Sequence, residues 1–295
     1  MVVWYSSRNN WGVDSQMYGD AVIRFDGVEK QFNDLKIFEE LDLSFPHSKI
    51  ILIGPNGTGK STFMKICYGM SSIQAGRVSV TDHDPFSERT MVKRETSYLP
   101  AETVFPRSLS VESILEYIST FCDSNRIDGL VNSLNAAYLK GKIVRNLSSG
   151  ERQVTNLIWA LSQKRQLYLL DEPTSSLDKN RRKQFVDILK GVNQAAIITS
   201  HEYNELITSV ESICQIHQDP VTGLSRFSAV MNTNETVIKV MFFDNYKVIE
   251  FLKSINSDFV LDGGFITVYT KVAEMLSKFG NDIAFLKRDV DNESV

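Results

Sequence analysis

The sequence predicts an α/β fold built on a largely parallel sheet, and three observations carry that prediction. The apolar run IILI (Ile50–Ile53) ends at a glycine-rich loop, and TFMKICYGM after it has helical apolar spacing, so the segment reads strand, loop, helix. Two further runs, LYLL before Asp171 and AAIIT before Ser200, are apolar without alternation, as strands buried on both faces of a parallel sheet are. A helix over Arg181–Lys190 links them, which completes the alternation of strand and helix.

Taken in chain order, residues 1–20 form a polar extension, and short β-rich runs begin at Ala21: AVIRF, then LDLSF, then IILI. Val111–Phe121, Ile127–Leu139 and Glu151–Leu161 read as helices, so a mainly helical insert at about 104–161 interrupts the α/β pattern. QDPVTG near Asp219 marks a turn and the expected end of the first domain, 21–218. The remainder, 219–295, reads as strand Val237–Met241, helix Tyr246–Ile255, strands Asp258–Leu261 and Phe265–Tyr269, helix Val272–Phe279 and strand Ile283–Lys287. That order is βαββαβ, a small α+β appendage of the split-βαβ kind.

Composition narrows the function classes. At 295 residues the chain has room for one full-sized domain and a smaller one, and 42% hydrophobic with 23% charged residues is ordinary for a globular protein. A formal net charge of -4 offers no general attraction for a phosphate backbone, so no nucleic-acid partner is expected. No run approaches the ~18 to 20 apolar residues that cross a bilayer, so a membrane role is expected to run through a partner. The start MVVWYSSRNN lacks the pattern of a secretory signal. Cys67, Cys122 and Cys214 are widely spaced and odd in number, which suits reduced structural thiols.

The glycine-rich loop carries the first chemistry. Gly54, Pro55, Asn56, Gly57, Thr58, Gly59, Lys60 and Ser61, continuing into Thr62, follow the pattern G-x-x-x-x-G-K-[ST] after a predicted strand. Glycines there let backbone N–H groups approach nucleotide phosphates closely. Lys60 would meet the β- and γ-phosphates of ATP, Ser61 would ligate Mg²⁺, and the helix N-terminus adds a favourable dipole. Asp171 and Glu172 end a buried strand, where one carboxylate can hold Mg²⁺ and its neighbour can face the attacking water. Taken alone, such a pair is commonplace and reads more readily as polar solvation of a strand end; the phosphate loop upstream changes that.

GPNGTGKST, LSSGERQ, LYLLDEPTSSLD and ITSHE, in this order, resemble the ATPase domains of ABC proteins over roughly residues 21–216. The resemblance implies a P-loop NTPase of ABC type, with a mixed sheet and a helical signature subdomain. It also implies a homo- or heterodimer that sandwiches two nucleotides. Leu147–Glu151 is similar to the signature LSGGQ, with serine for its first glycine and glutamate for its glutamine. Ser148, Ser149 and Gly150 would then bind the γ-phosphate of the partner's nucleotide, or else simply cap a helix. In Ser175–Asp178, Asp178 resembles the residue that crosses the dimer interface. His201 resembles the switch histidine, and Phe32 in EKQFND the aromatic that stacks on adenine. One position departs from the family: Ala101 stands where a glutamine is usual, with Glu102 next to it.

No coiled-coil insertion separates the phosphate loop from the signature segment, which favours a transport motor over repair or chromosome-organising ATPases. The single ATPase unit with a C-terminal appendage is most similar to subunits of bacterial ABC-2-type exporters. An integral membrane permease subunit is the implied partner, and the cytoplasmic face of the membrane the implied location. A soluble ATPase that remodels a macromolecule is the alternative. The appendage would serve as ligand module, dimer contact or buttress.

Overall fold

A computed structural model describes residues 21–102, 105–200, 205–219, 222–227, 231–232, 238–242, 259–262, 265–268 and 283–288. Strands β1 (Ala21–Phe32) and β2 (Leu35–Pro46) form an antiparallel hairpin, and β4 (Ala75–Val80) pairs antiparallel with the other edge of β1. Both hairpin strands run well beyond AVIRF and LDLSF. In β1 the extra length is the stretch from Asp26 to Phe32, whose Asp26 and Glu29 face outward and hide the strand signal, and in β2 it is chiefly Leu35–Glu40. The turn is made at Asn33, which takes the left-handed backbone that asparagine tolerates (φ 50°).

The central sheet holds β3 (Lys49–Ile53), β5 (Thr96–Leu99), β6 (Leu167–Asp171), β7 (Ala195–Thr199), β8 (Ser212–Gln218), β9 (Ser225–Phe227) and β10 (Met231–Asn232). Its order is β10-β8-β3-β7-β6-β5, and β9 also pairs with β8. The β8-β3-β7-β6-β5 part is parallel throughout, and β9 and β10 run antiparallel to β8, so the sheet is mixed. The sheet therefore continues past residue 218, where the QDPVTG turn placed a boundary, because β9 and β10 return along β8.

Alternate residues of the parallel strands serve two cores, as a period of two requires. Ile50 and Leu52 of β3 and Leu167 and Leu169 of β6 face the antiparallel sheet, with Phe25, Phe45, Phe227 and Phe63 of helix α1 (Lys60–Cys67). Phe63 is fully buried and its ring lies 5.0, 5.6 and 5.5 Å from those of Phe25, Phe45 and Phe227. Burial of such a side chain contributes about 1.5–3 kcal/mol. Ile51, Ile53, Tyr168 and Leu170 face the opposite core. Beyond the short helix α2 (Arg89–Glu95), that core is filled by α3 (Val111–Ser119), α4 (Ser124–Ser133), α5 (Ser149–Ser162) and α6 (Lys179–Lys190).

The expected helix at 127–139 breaks after Ser133, where Asn135 turns left-handed (φ 48°). Leu134, Ala136 and Leu139 stay buried in one cluster across the break, which is why the apolar spacing reads as continuous. Arg126 ties this helical region to the sheet. Its Nε donates to the Leu161 carbonyl at 2.7 Å and its guanidinium to the Tyr168 hydroxyl at 3.1 Å.

The C-terminal sheet comprises β11 (Ile238–Phe242), β12 (Phe259–Asp262), β13 (Phe265–Val268) and β14 (Ile283–Arg288), all antiparallel, in the order β12-β13-β11-β14. Each strand lies within a residue or so of its predicted span, and the order is that of a split-βαβ sheet. The helices expected at Tyr246–Ile255 and Val272–Phe279 lie outside the described residues. All three cysteines are free thiols, and among the described residues no helix is long and apolar enough to cross a membrane.

Candidate nucleotide-binding site

The phosphate loop joins β3 to α1, and Gly59 makes the transition with a left-handed backbone (φ 92°) that side chains rarely adopt. The Gly59 carbonyl then accepts from the amide of Phe63 at 2.8 Å and opens the helix. Thr58 Oγ1 donates to the Pro55 carbonyl at 2.9 Å, which closes the loop on itself, while Pro55, Asn56 and Gly57 form its exposed rim. Ser61 and Thr62 occupy the first turn of α1. Lys60 is buried, and its Nζ donates to the carbonyls of Gly54 and Pro55 at 2.6 and 2.8 Å. Burial draws its pKa below the ordinary lysine value, opposed by the negative charge of Glu172 and Asp171. The lysine and both carboxylates thus share one electrostatic neighbourhood.

Asp171 ends β6 and is buried, accepting from Thr199 Oγ1 at 2.6 Å. Thr199 belongs to β7, the strand between β6 and β3. The same hydroxyl accepts from the Glu172 amide at 2.9 Å, and the Thr199 carbonyl accepts from that amide at 3.2 Å. Glu172 itself turns left-handed (φ 51°), a conformation costly outside glycine and one that clusters at functional sites. Gln153 of α5, also buried, donates from Nε2 to the carbonyls of Glu172 and Pro173 at 3.3 and 2.9 Å. The turn carrying Glu172 is thereby held from the sheet on one side and from α5 on the other.

Ser148 caps α5 with a capping box. Ser148 Oγ accepts from the Glu151 amide at 3.2 Å, and Glu151 Oε2 accepts from the Ser148 amide at 2.9 Å. Glu151 Oε1 pairs with Lys142 Nζ at 2.7 Å. The Lys142 hydrogen bond, reinforced by the Ser148 amide, holds the Glu151 carboxyl down at about 2. A Cβ on Gly150 would fall 2.6 Å from the Ser176 carbonyl oxygen, so only glycine lets α5 approach the segment before α6 so closely. Asp178 caps α6, accepting from the Arg181 amide at 3.0 Å. Ser149 and Gly150 thus begin α5 directly against the Ser175–Asp178 segment.

Residues 38–175 match the family model for ABC transporters, a span holding the phosphate loop, the signature segment and the Asp171–Glu172 pair. Over that span the chain is similar to ABC transporter ATP-binding proteins, and its fold is that of an ABC-type nucleotide-binding domain. It is 29% identical over 201 residues to a zinc import ATP-binding protein of Wigglesworthia glossinidia brevipalpis, covering 66% of this chain and 82% of that protein. It is 28% identical over 180 residues to a daunorubicin resistance ATP-binding protein of Streptomyces coeruleorubidus, covering 59% of this chain and 57% of that one. A solved ATP-binding subunit of an ABC transporter superposes with a TM-score of 0.62 at 16% identity, over 72% of this chain and 90% of that one.

Phe32 ends β1 and is 47% exposed. Ala101 is exposed just beyond β5, with Glu102 exposed beside it. His201 lies outside the described residues. Thr199 and Gln153 were missed as site residues by sequence reasoning, although both stand inside the motif strings ITSHE and LSSGERQ. Lys142 had no signal beyond its charge.

Oxygen donors characterise the place expected to hold a metal. Ser61 and buried Asp171 suit a hard cation, and Lys60 feels both carboxylates. Among the described residues no cluster of three or more histidine, cysteine or acidic side chains forms a metal cage.

Proposed function

We propose that this chain is the ATP-hydrolysing subunit of an ABC transporter, working as a dimer on a separate membrane-spanning permease at the cytoplasmic face. The observation that carries the reading is the fixing of the Glu172 turn by Thr199 and Gln153, in the same neighbourhood as Lys60 and Asp171. Glu172 accepts a proton from water as the water oxygen attacks the γ-phosphorus in line and the bond to the β-γ bridging oxygen breaks. Lys60, His201 and the partner's Ser148–Gly150 segment stabilise the charge on the phosphoryl oxygens. Ser61 and Asp171 would hold Mg²⁺, which supplies further neutralisation of phosphate charge. Gly54–Thr62 cradle the phosphates, Phe32 stacks on adenine, and Asp178 faces the dimer partner.

Export is the direction we assign, on the resemblance of a single ATPase unit with a C-terminal appendage to ABC-2-type exporters. With alanine at position 101, the water- and metal-directed role of the usual glutamine falls to other groups.

Affinity capture from gently detergent-solubilised native membranes, with mass spectrometry and an ATPase assay of the recovered complex, tests the reading. A stoichiometric multispanning partner is expected. Recovery of soluble proteins alone, with ATPase activity intact, would replace transport by remodelling of a macromolecular partner.

A further inference from the structure

The end of β1 carries a feature the motifs do not explain. A register irregularity between Phe25 and Val28 moves the buried side of the strand from Ile23 and Phe25 to Val28 and Lys30. Lys30 is thereby turned inward and is only 4% exposed. Its Nζ donates to the Ser72 carbonyl at 2.6 Å and lies 4.3 Å from the centroid of the Phe32 ring, within cation–π range. The residue between them is pinned as well. The Gln31 amide donates to Gln74 Oε1 at 2.9 Å, and Gln74 Nε2 donates to the Gln31 carbonyl at 3.2 Å.

We propose that Lys30 is a positioning residue for the nucleotide base: its ammonium takes one face of the Phe32 ring and leaves the opposite face to stack on adenine. The proposal rests on the reading of Phe32 as the base platform. Two physical effects follow from the geometry. A cation on one face draws π-electron density toward itself, so the other face is less negative and stacks better on an electron-rich purine. A ring already held in place also loses less freedom when the base arrives. Lys30 anchors to Ser72, downstream of α1, so it also ties the base platform to the segment that leaves the phosphate helix.

The test uses the full chain and its variants Lys30→Met, Phe32→Ala and the double substitution, titrated calorimetrically with ATP and with inorganic tripolyphosphate, which has no base. Lys30→Met is expected to weaken ATP binding about 2- to 5-fold and to leave tripolyphosphate binding unchanged. The double variant is expected to bind ATP no more weakly than Phe32→Ala alone. Equal weakening for ATP and tripolyphosphate would reduce Lys30 to a strut between β1 and Ser72 and overturn the proposal. So would a Lys30→Met variant that binds ATP normally while Phe32→Ala does not. Normal ATP binding by Phe32→Ala would instead overturn the platform reading itself.

Discussion

Glu151 and Glu172 stand at two turns that meet through α5, and the fold holds them by opposite ends. At Glu151 the side chain does the structural work: one carboxylate oxygen closes the capping box with Ser148 and the other pairs with Lys142. At Glu172 the backbone does it, with the amide on Thr199 and the carbonyl on Gln153. A carboxylate committed to its own helix is withdrawn from chemistry, whereas the Glu172 turn is placed accurately through its peptide groups. The difference also bears on the signature departure from glutamine, since Glu151 is used as an ionised cap whose charge is paired with Lys142.

The sharpest way to break the comparison is Glu172→Gln, which keeps the backbone contacts and removes the base. Turnover is expected to fall by ~10² to 10⁴ while ATP binding persists, read by steady-state phosphate release beside equilibrium nucleotide binding. Near-normal hydrolysis would take the general-base role away from Glu172.

A smaller effect is expected from Thr199→Val, nearly isosteric but without the hydroxyl shared by Asp171 and the Glu172 amide. A loss of about 10- to 100-fold in activity is expected, the scale usual for partners that orient a ligand or catalytic group. If kcat is unchanged, the carbonyl of residue 199 suffices to hold the turn.

Glu151→Ala is expected to leave the chemistry nearly intact and to cost about 1 kcal/mol of stability, measured by chemical denaturation at neutral pH. The sign of its pH dependence follows from the depressed carboxyl. Folded Glu151 titrates at about 2 against an ordinary value of 4.5. Its stabilisation is therefore fully present above about 4.5 and is lost as the pH falls toward 2. The gap between parent and variant should close over that window. A gap that stays constant through it would mean that the carboxylate charge contributes nothing.

What was legible in the sequence was whatever is contiguous along the chain. Gly54–Ser61 and Asp171–Glu172 carry their meaning in neighbouring positions, and the strands of the C-terminal sheet stand out by their apolar runs. What was not legible depends on distant packing or on faces. Gln153 reaches Glu172 and Pro173 only because α5 runs beside the end of β6, and the demand for glycine at 150 comes from a carbonyl of residue 176. The full hairpin was hidden because Asp26 and Glu29 point outward from β1. The end of α4 was hidden because Leu134 and Leu139 stay buried beyond it.

The strand order has a dimensional consequence. β7 lies between β3, which delivers the phosphate loop, and β6, which delivers Asp171 and Glu172. The backbones of those two strands are therefore two strand spacings apart, roughly 9.5 Å. Peptide hydrogen bonds set that gauge, so a point substitution at the rim can retune the contents of the reaction chamber while its width stays fixed by the weave of the sheet.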